Sequence, residues 1–155
     1  MKTIWGWIVA VFNWIFRRKK KGQFARFDFK FRDLKTGIET YIKGDGTMAF
    51  ELPVDKKVVV TLVPVDMYGN PAEPISAGVP AWSVNDPALL NIATAADGMS
   101  AEIDPTGQVG SILLHAEGDS DPGSGVTPVV GEAGVDLVAG TPVAYNMVFG
   151  TPEPK

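Results

Sequence analysis

Pro80-Ala81-Trp82-Ser83-Val84-Asn85-Asp86-Pro87, continuing through Ala88 to Ile92, decides how the rest of this chain is read. Trp82 is the one tryptophan outside the first fourteen residues, and it lies in a short strand-like run over 79–84. Pro87 disfavours the helical region for Asp86, so Asn85-Asp86-Pro87 ends that run in a turn. A second apolar run follows at 89–92, then a turn at Asp97-Gly98, then alternation over 99–103. A bulky aromatic flanked by short strands and tight turns is how a small sandwich fills the space between its sheets. Trp82 is therefore expected in the core.

On either side the same pattern continues. Residues 47–52 alternate Met48, Phe50 and Leu52 against Ala49 and Glu51, and 57–65 is a β-branched apolar run suited to a strand buried on one or both faces. Residues 66–71 form a turn, and Thr106-Gly107 leads into a strand over 109–117. Residues 118–125, Gly-Asp-Ser-Asp-Pro-Gly-Ser-Gly, are a loop by composition. Further short strands are expected at 126–130, 134–138 and 143–149, which makes about eight at regular spacing and argues for a β-sandwich over 47–150. Residues 151–155 read as an exposed tail.

Upstream, Phe27, Phe29 and Phe31 alternate with Arg26, Asp28, Lys30 and Arg32, so one face of a strand is aromatic and the other charged. Phe24 falls outside that register and is expected to cover the strand's start. The chain turns at Lys35-Thr36-Gly37, and 39–43 can pair back with Tyr41 pointing inward. Residues 23–46 thus read as a β-hairpin added to the sandwich. Two strands alone are marginal, so the hairpin should pack on the body or on a neighbour. The charged residues are expected to form a solvated face.

The chain has 155 residues with no cysteine, which excludes a disulfide framework, a thiolate metal site and a cysteine nucleophile. Its 17 glycines and 12 prolines are spread as punctuation. The net charge of −4 conceals a split. Residues 1–21 carry six basic side chains and no acid, whereas 22–155 carry eight basic against eighteen acidic, a net of −10. Only the basic end can seek anionic partners.

Residues 1–22 read as a short apolar-basic N-terminal helix. Ile4, Trp5, Trp7, Ile8, Val11, Phe12, Trp14, Ile15 and Phe16 leave it without a polar face. The fourteen residues 3–16, in which Asn13 is the one strongly polar side chain, span about 21 Å, short of the ~30 Å hydrocarbon core of a bilayer. A cleaved secretory signal fits poorly, because no small-residue cleavage site precedes the basic run. At ~1.5–3 kcal/mol each, the nine large side chains represent on the order of 15–25 kcal/mol of burial. The basic run Arg17, Arg18, Lys19, Lys20 and Lys21 offers only ~1 kcal/mol per charge at an anionic surface. Burial dominates, which disfavours nucleic acid and leaves docking against protein, or an interfacial membrane anchor through 3–21.

Side chains suited to catalysis are sparse. His115 is the only histidine, central in a strand pattern, and reads as structural or surface-exposed. Gly118-Asp119-Ser120 resembles the opening motif of certain lipolytic hydrolases, but no histidine follows Ser120. Asp119, Asp121 and Glu117 offer oxygen ligands, yet Gly123 and Val130 occupy positions where a calcium loop needs ligands. The expectation is a non-enzyme with no catalytic residues, no metal, no cofactor and no small-molecule substrate.

Residues 47–150, about two-thirds of the chain, resemble the bacterial immunoglobulin-like domain family, group 2. The family's Trp-Ser, two residues, Asp-Pro pattern stands here as Trp82-Ser83-Val84-Asn85-Asp86-Pro87. Its following strand is at 90–92, its glycine turn and strand at 98–103, and its Gly-x-x-x-Ile-x-x-x-Ala motif is approximated over 109–116. The resemblance implies an all-β, Ig-like Greek-key β-sandwich without catalysis, of the kind found in bacteriophage virion proteins and bacterial surface adhesins. The acidic loop over 117–125, the hairpin and the missing export signal set this chain apart from the adhesins. The expected role is a virion accessory subunit, a capsid decoration or tail-associated protein, docked by its N-terminal segment to other virion subunits or copies of itself. The alternative is a membrane-associated bacterial Ig-like protein with an adhesion role.

Overall fold

The structure, a computed structural model, describes residues 24–73, 78–120 and 125–143. Within them the protein is all-β, with two sheets packed as a β-sandwich. The strands are β1 (Phe24–Asp33), β2 (Glu39–Ile42), β3 (Asp45–Pro53), β4 (Val58–Asp66), β5 (Ala81–Val84), β6 (Leu90–Thr94), β7 (Ser100–Pro105), β8 (Gly110–Asp119) and β9 (Pro128–Val138). One sheet has the order β2-β1-β4-β7-β6 and the other β3-β9-β8-β5. All pairings are antiparallel except β3 with β9, which is parallel.

The aromatic alternation around residue 29 does more than form an appended hairpin. β1 lies between β2 and β4 and pairs with β4 from Phe24↔Asp66 to Asp33↔Val58. Phe27, Phe29 and Phe31 are among the largest fully buried side chains of the molecule. Phe31 stacks on Phe50 of the facing sheet at 4.3 Å between centroids, and Phe24 meets Phe27 edge-on at 4.8 Å. Three phenylalanines on one face of a strand hold more apolar area than a two-stranded ribbon can cover. The strand is accordingly drawn into the sheet, and the aromatic centre of the core is β1.

Two side chains of this hairpin differ from expectation. Tyr41 faces outward beside Lys30, and Ile42, opposite Phe29, is the buried one. Alternation fixes this: once Phe29 points inward, its partner Ile42 must as well, and Tyr41 takes the other face. Met48 is likewise half-exposed, while Phe50 and Leu52 of β3 reach the core.

The expected strands at 126–130 and 134–138 are one continuous strand, β9. Gly131 reads as a break, but it admits a neighbour. A Cβ at Gly131 would stand 2.4 Å from the Phe27 carbonyl oxygen, so a bare backbone is needed where β9 passes β1. Gly44 does the same at the crossing from β2 to β3, where a Cβ would lie 1.7 Å from that same oxygen. The Gly44 carbonyl accepts the Glu132 N–H at 3.1 Å, which ties the crossover to β9. Val143 lies outside any strand and is almost fully exposed; 144–149 and the tail at 151–155 lie outside the described residues.

Candidate functional site

The residues between Ile4 and Phe16 that were expected to dock, and the basic residues Arg17 to Lys21, all lie outside the described residues. No helix of the described residues is long and apolar enough to cross a membrane.

Trp82 stands on β5 with its ring partly buried against the core. It meets Phe29 edge-on at 6.1 Å, and its Nε1–H donates to the Gly98 carbonyl at 2.7 Å. The ring therefore joins the two sheets from the side, next to the turn at Asp97-Gly98. Trp82→Ala should cost about 2–3 kcal/mol, below the value for a fully buried ring, and a thermal melt of the variant measures it.

The charged face of β1 holds the main polar cluster, and sequence reasoning missed it. Asp28 was expected in solvent, but it is 1% exposed. Its Oδ1 accepts Arg26 Nε–H and the Gly44 backbone N–H, each at 2.8 Å, and its Oδ2 accepts the Tyr41 hydroxyl. Arg26 lies two residues along the same face, Tyr41 comes from β2, and Gly44 from the crossover. Burial pushes the Asp28 carboxyl up, but the bonds from Arg26, Tyr41 and Gly44 outweigh it and hold the group below the usual carboxylate range. Desolvation first, then the Asp28 bond and charge, push the Tyr41 phenol up to about 12. A spectrophotometric titration should therefore show one of the three tyrosines ionising near 12, and Asp28→Asn should bring it down. Both oxygens of the Asp28 carboxylate thus accept bonds from within the chain. Its chemistry is to pin the crossover. A lone acid among Arg26, Lys30 and Arg32 was the one sequence signal, and it is a weak one.

His115 lies on the outer face of β8, with Nδ1 3.2 Å from Glu132 Oε1 and Nε2 3.8 Å from Glu117 Oε2. It is a cross-strand partner of Glu132. Asp119 Oδ1 accepts the Thr127 N–H at 2.8 Å and closes the β8–β9 connection; Asp121 lies outside the described residues. Among the described residues no group of three or more His, Asp or Glu is placed to hold a metal.

The most distinctive surface is the end of the sandwich at which β1 begins and β4 finishes. Asp66 builds a tight turn there. Its Oδ1 accepts Tyr68 N–H and Asn70 N–H at 2.9 Å each, and its Oδ2 accepts Asn70 Nδ2–H at 3.2 Å. The backbone bond from Asn70 is the main cause that holds the Asp66 carboxyl low. The turn presents Met67 and Tyr68 to solvent at 72% and 80% exposure. Phe24, Met67, Tyr68, Thr127, Pro128 and Val129 line a cleft of about 340 Å³. Beyond the β8–β9 connection, Val79 and Val126, also exposed, border a cleft of about 280 Å³. The opposite end carries a cleft where Asp33, Lys35, Asp55 and Lys56 stand beside Leu34, and there Leu34 and Ile38 are also exposed. No model of a known protein family matches the chain, and no curated protein or solved structure is significantly similar to it.

Proposed function

We propose that this chain is a non-catalytic structural protein whose Ig-like module is carried by an apolar-basic N-terminal docking segment, and that it serves as a bacteriophage virion accessory subunit. The strand order carries the Ig-like part of this reading. The run β1-β4-β7-β6 follows the A-B-E-D order of an immunoglobulin-type sheet, and β5-β8-β9 follows its C-F-G partner. In that assignment Trp82 occupies strand C, the place where such sandwiches carry a tryptophan. Among the described residues the buried polar side chains, Asp28, Asp66 and Ser120, all bond within the fold, so they serve architecture.

The docking part rests on burial. Residues 3–16 hold more apolar surface than water tolerates, and the acidic body of net −10 is suited to face outward. Light scattering of the chain with and without residues 1–22 tests it. An assembly that requires the segment is expected, with a monomer in its absence. Equal sizes would remove the docking role, and a requirement for detergent would favour a membrane anchor.

A further inference from the structure

We infer that β6, at the edge of the five-stranded sheet, pairs antiparallel with β6 of a second copy of this chain, about a two-fold axis at Ile92. The contact goes beyond the docking proposed for residues 3–16 and does not depend on it.

The ladder between β6 and β7 fixes which backbone groups face away from it. The Thr106 N–H donates to the Leu89 carbonyl at 3.0 Å, and the Ala95 N–H donates to the Ser100 carbonyl at 2.9 Å. Both pairs stand in the register that sets Leu90 opposite Pro105 and Thr94 opposite Ala101, so residues 89, 91, 93 and 95 turn their backbone inward along the sheet. In an antiparallel ladder the residues between them turn theirs the other way. Leu90, Ile92 and Thr94 thus offer their N–H and C=O groups on the free edge, and among the described residues no strand or loop pairs with them there.

An open edge is normally blunted by charge, proline or irregularity. The other three edge strands show such devices. β2 carries Glu39, β3 carries Asp45, Glu51 and a shift of register, and β5 is four residues long behind Pro80. β6, Leu90-Asn91-Ile92-Ala93-Thr94, has no charge, proline, glycine or bulge. On this side of the sandwich Trp82, Val84, Leu89 and Ile92 pack on the core and are only half-buried.

The strand's own symmetry names the occupant. With Ile92 opposite its counterpart, Leu90 of each chain falls opposite Thr94 of the other. These are the residues with outward groups, so every free donor of one edge meets an acceptor of the other. On the outer face Asn91 stands opposite Ala93 of the second copy, and both are small and uncharged. The acids next to them on β7, Glu102 and Asp104, are paired with Lys57 Nζ at 3.4 Å and 2.9 Å, so no unpaired like charges are opposed. On the inner face Ile92 packs against its counterpart and gains the cover one sheet does not give it. The pair is also closed, because the joined sheet ends at both sides on β2 with its Glu39. Five residues of edge make a small interface, so the dimer is reversible.

Cysteine pairing in the full-length chain tests the register, because the sequence holds no cysteine of its own. Asn91 and the second copy's Ala93 form a non-hydrogen-bonded pair with Cα atoms about 4.5 Å apart, within the span of a disulfide. Neither position meets itself across the axis, since such diagonal neighbours lie about 7–8 Å apart. An oxidised mixture of Asn91→Cys and Ala93→Cys chains should therefore give several times more covalent dimer, at twice the 16.6 kDa of one chain, than either variant alone. Both positions are exposed, so the variants should melt like the wild type. Adding Thr94→Pro to both chains removes a donor from the free edge and no bond to β7, and should lower the yield about tenfold. Thr94 is exposed, and a melt verifies the fold; if that variant melts early, the mixture alone decides. Glu39→Pro, the matching change at the other edge of the sheet, should leave the yield unchanged. Equal yields from the mixture and the single variants, no covalent dimer, or a folded Thr94→Pro pair that cross-links undiminished would each overturn the pairing. Slow hydrogen exchange at residues 90, 92 and 94 without cross-linking would mean that something other than a second β6 covers the edge, and the inference would fall.

Discussion

Gly44→Ala should be among the most damaging single substitutions in this protein, costing upward of about 3 kcal/mol, enough to remove much of the 5–15 kcal/mol that holds a domain of this kind together. The added Cβ would sit 1.7 Å from the Phe27 oxygen, 2.8 Å from its carbonyl carbon and 3.3 Å from the Gly131 Cα. All three are backbone atoms of the core strands, so no side chain can rotate away. Relief requires β1 to separate from the crossover, which would also break the bond from Gly44 N–H to Asp28 and that from Glu132 N–H to the Gly44 carbonyl. Gly37→Ala is the control: Gly37 sits at φ +72° with nothing within 4 Å of the added methyl. Its cost should be only about 1 kcal/mol, from backbone strain. Chemical denaturation of the two variants compares them directly, and equal midpoints would mean the crossover is looser than drawn.

Asp28→Ala should cost about 3 kcal/mol, the lower end of what breaking a buried ion pair costs, because Arg26 stays within reach of water. The alanine would strand three donors at once: Arg26 Nε–H, the Tyr41 hydroxyl and the Gly44 N–H. Asp28→Asn keeps the shape and loses the charge, so it isolates the pH dependence. The Asp28 carboxyl is held low in the folded state, so its contribution is present above the ordinary carboxylate range. It is lost as pH falls through the folded value. The stability gap between the wild type and Asp28→Asn should therefore narrow from about pH 5 downward. A gap that stays constant down to pH 2 would mean Asp28 is not an ion-paired carboxylate.

These two predictions fall on a region whose strands are plain in the sequence and whose role is not. The alternation of Phe27, Phe29 and Phe31 determined a strand and its inward face, because the side-chain period of a strand is two, but not its register, which sets Ile42 and not Tyr41 opposite Phe29. The turns at Gly37, Gly69, Gly98 and Gly107, all at positive φ, were equally legible, since few other residues take that backbone. So were most of the strands from β4 to β8 and the place of His115 within a strand. Which strands neighbour one another is decided by long-range pairing, and local pattern carries no record of it. That is why β1 read as an addition although it lies between β2 and β4, and why Trp82 read as the centre although it stands beside a core led by β1. The burial of Asp28 belongs to the same class. An acid on the charged face of a strand is solvated unless something crosses above it, and only the tertiary fold brings Tyr41 and the Gly44 crossover there. The sequence by itself determined a β-rich body of net negative charge behind a basic first stretch. Tertiary structure alone decided which glycines admit a passing backbone, which carboxylate is buried, and that Met67 and Tyr68 stand at the pole where the chain enters the sandwich, because each of these depends on residues distant in sequence meeting in space.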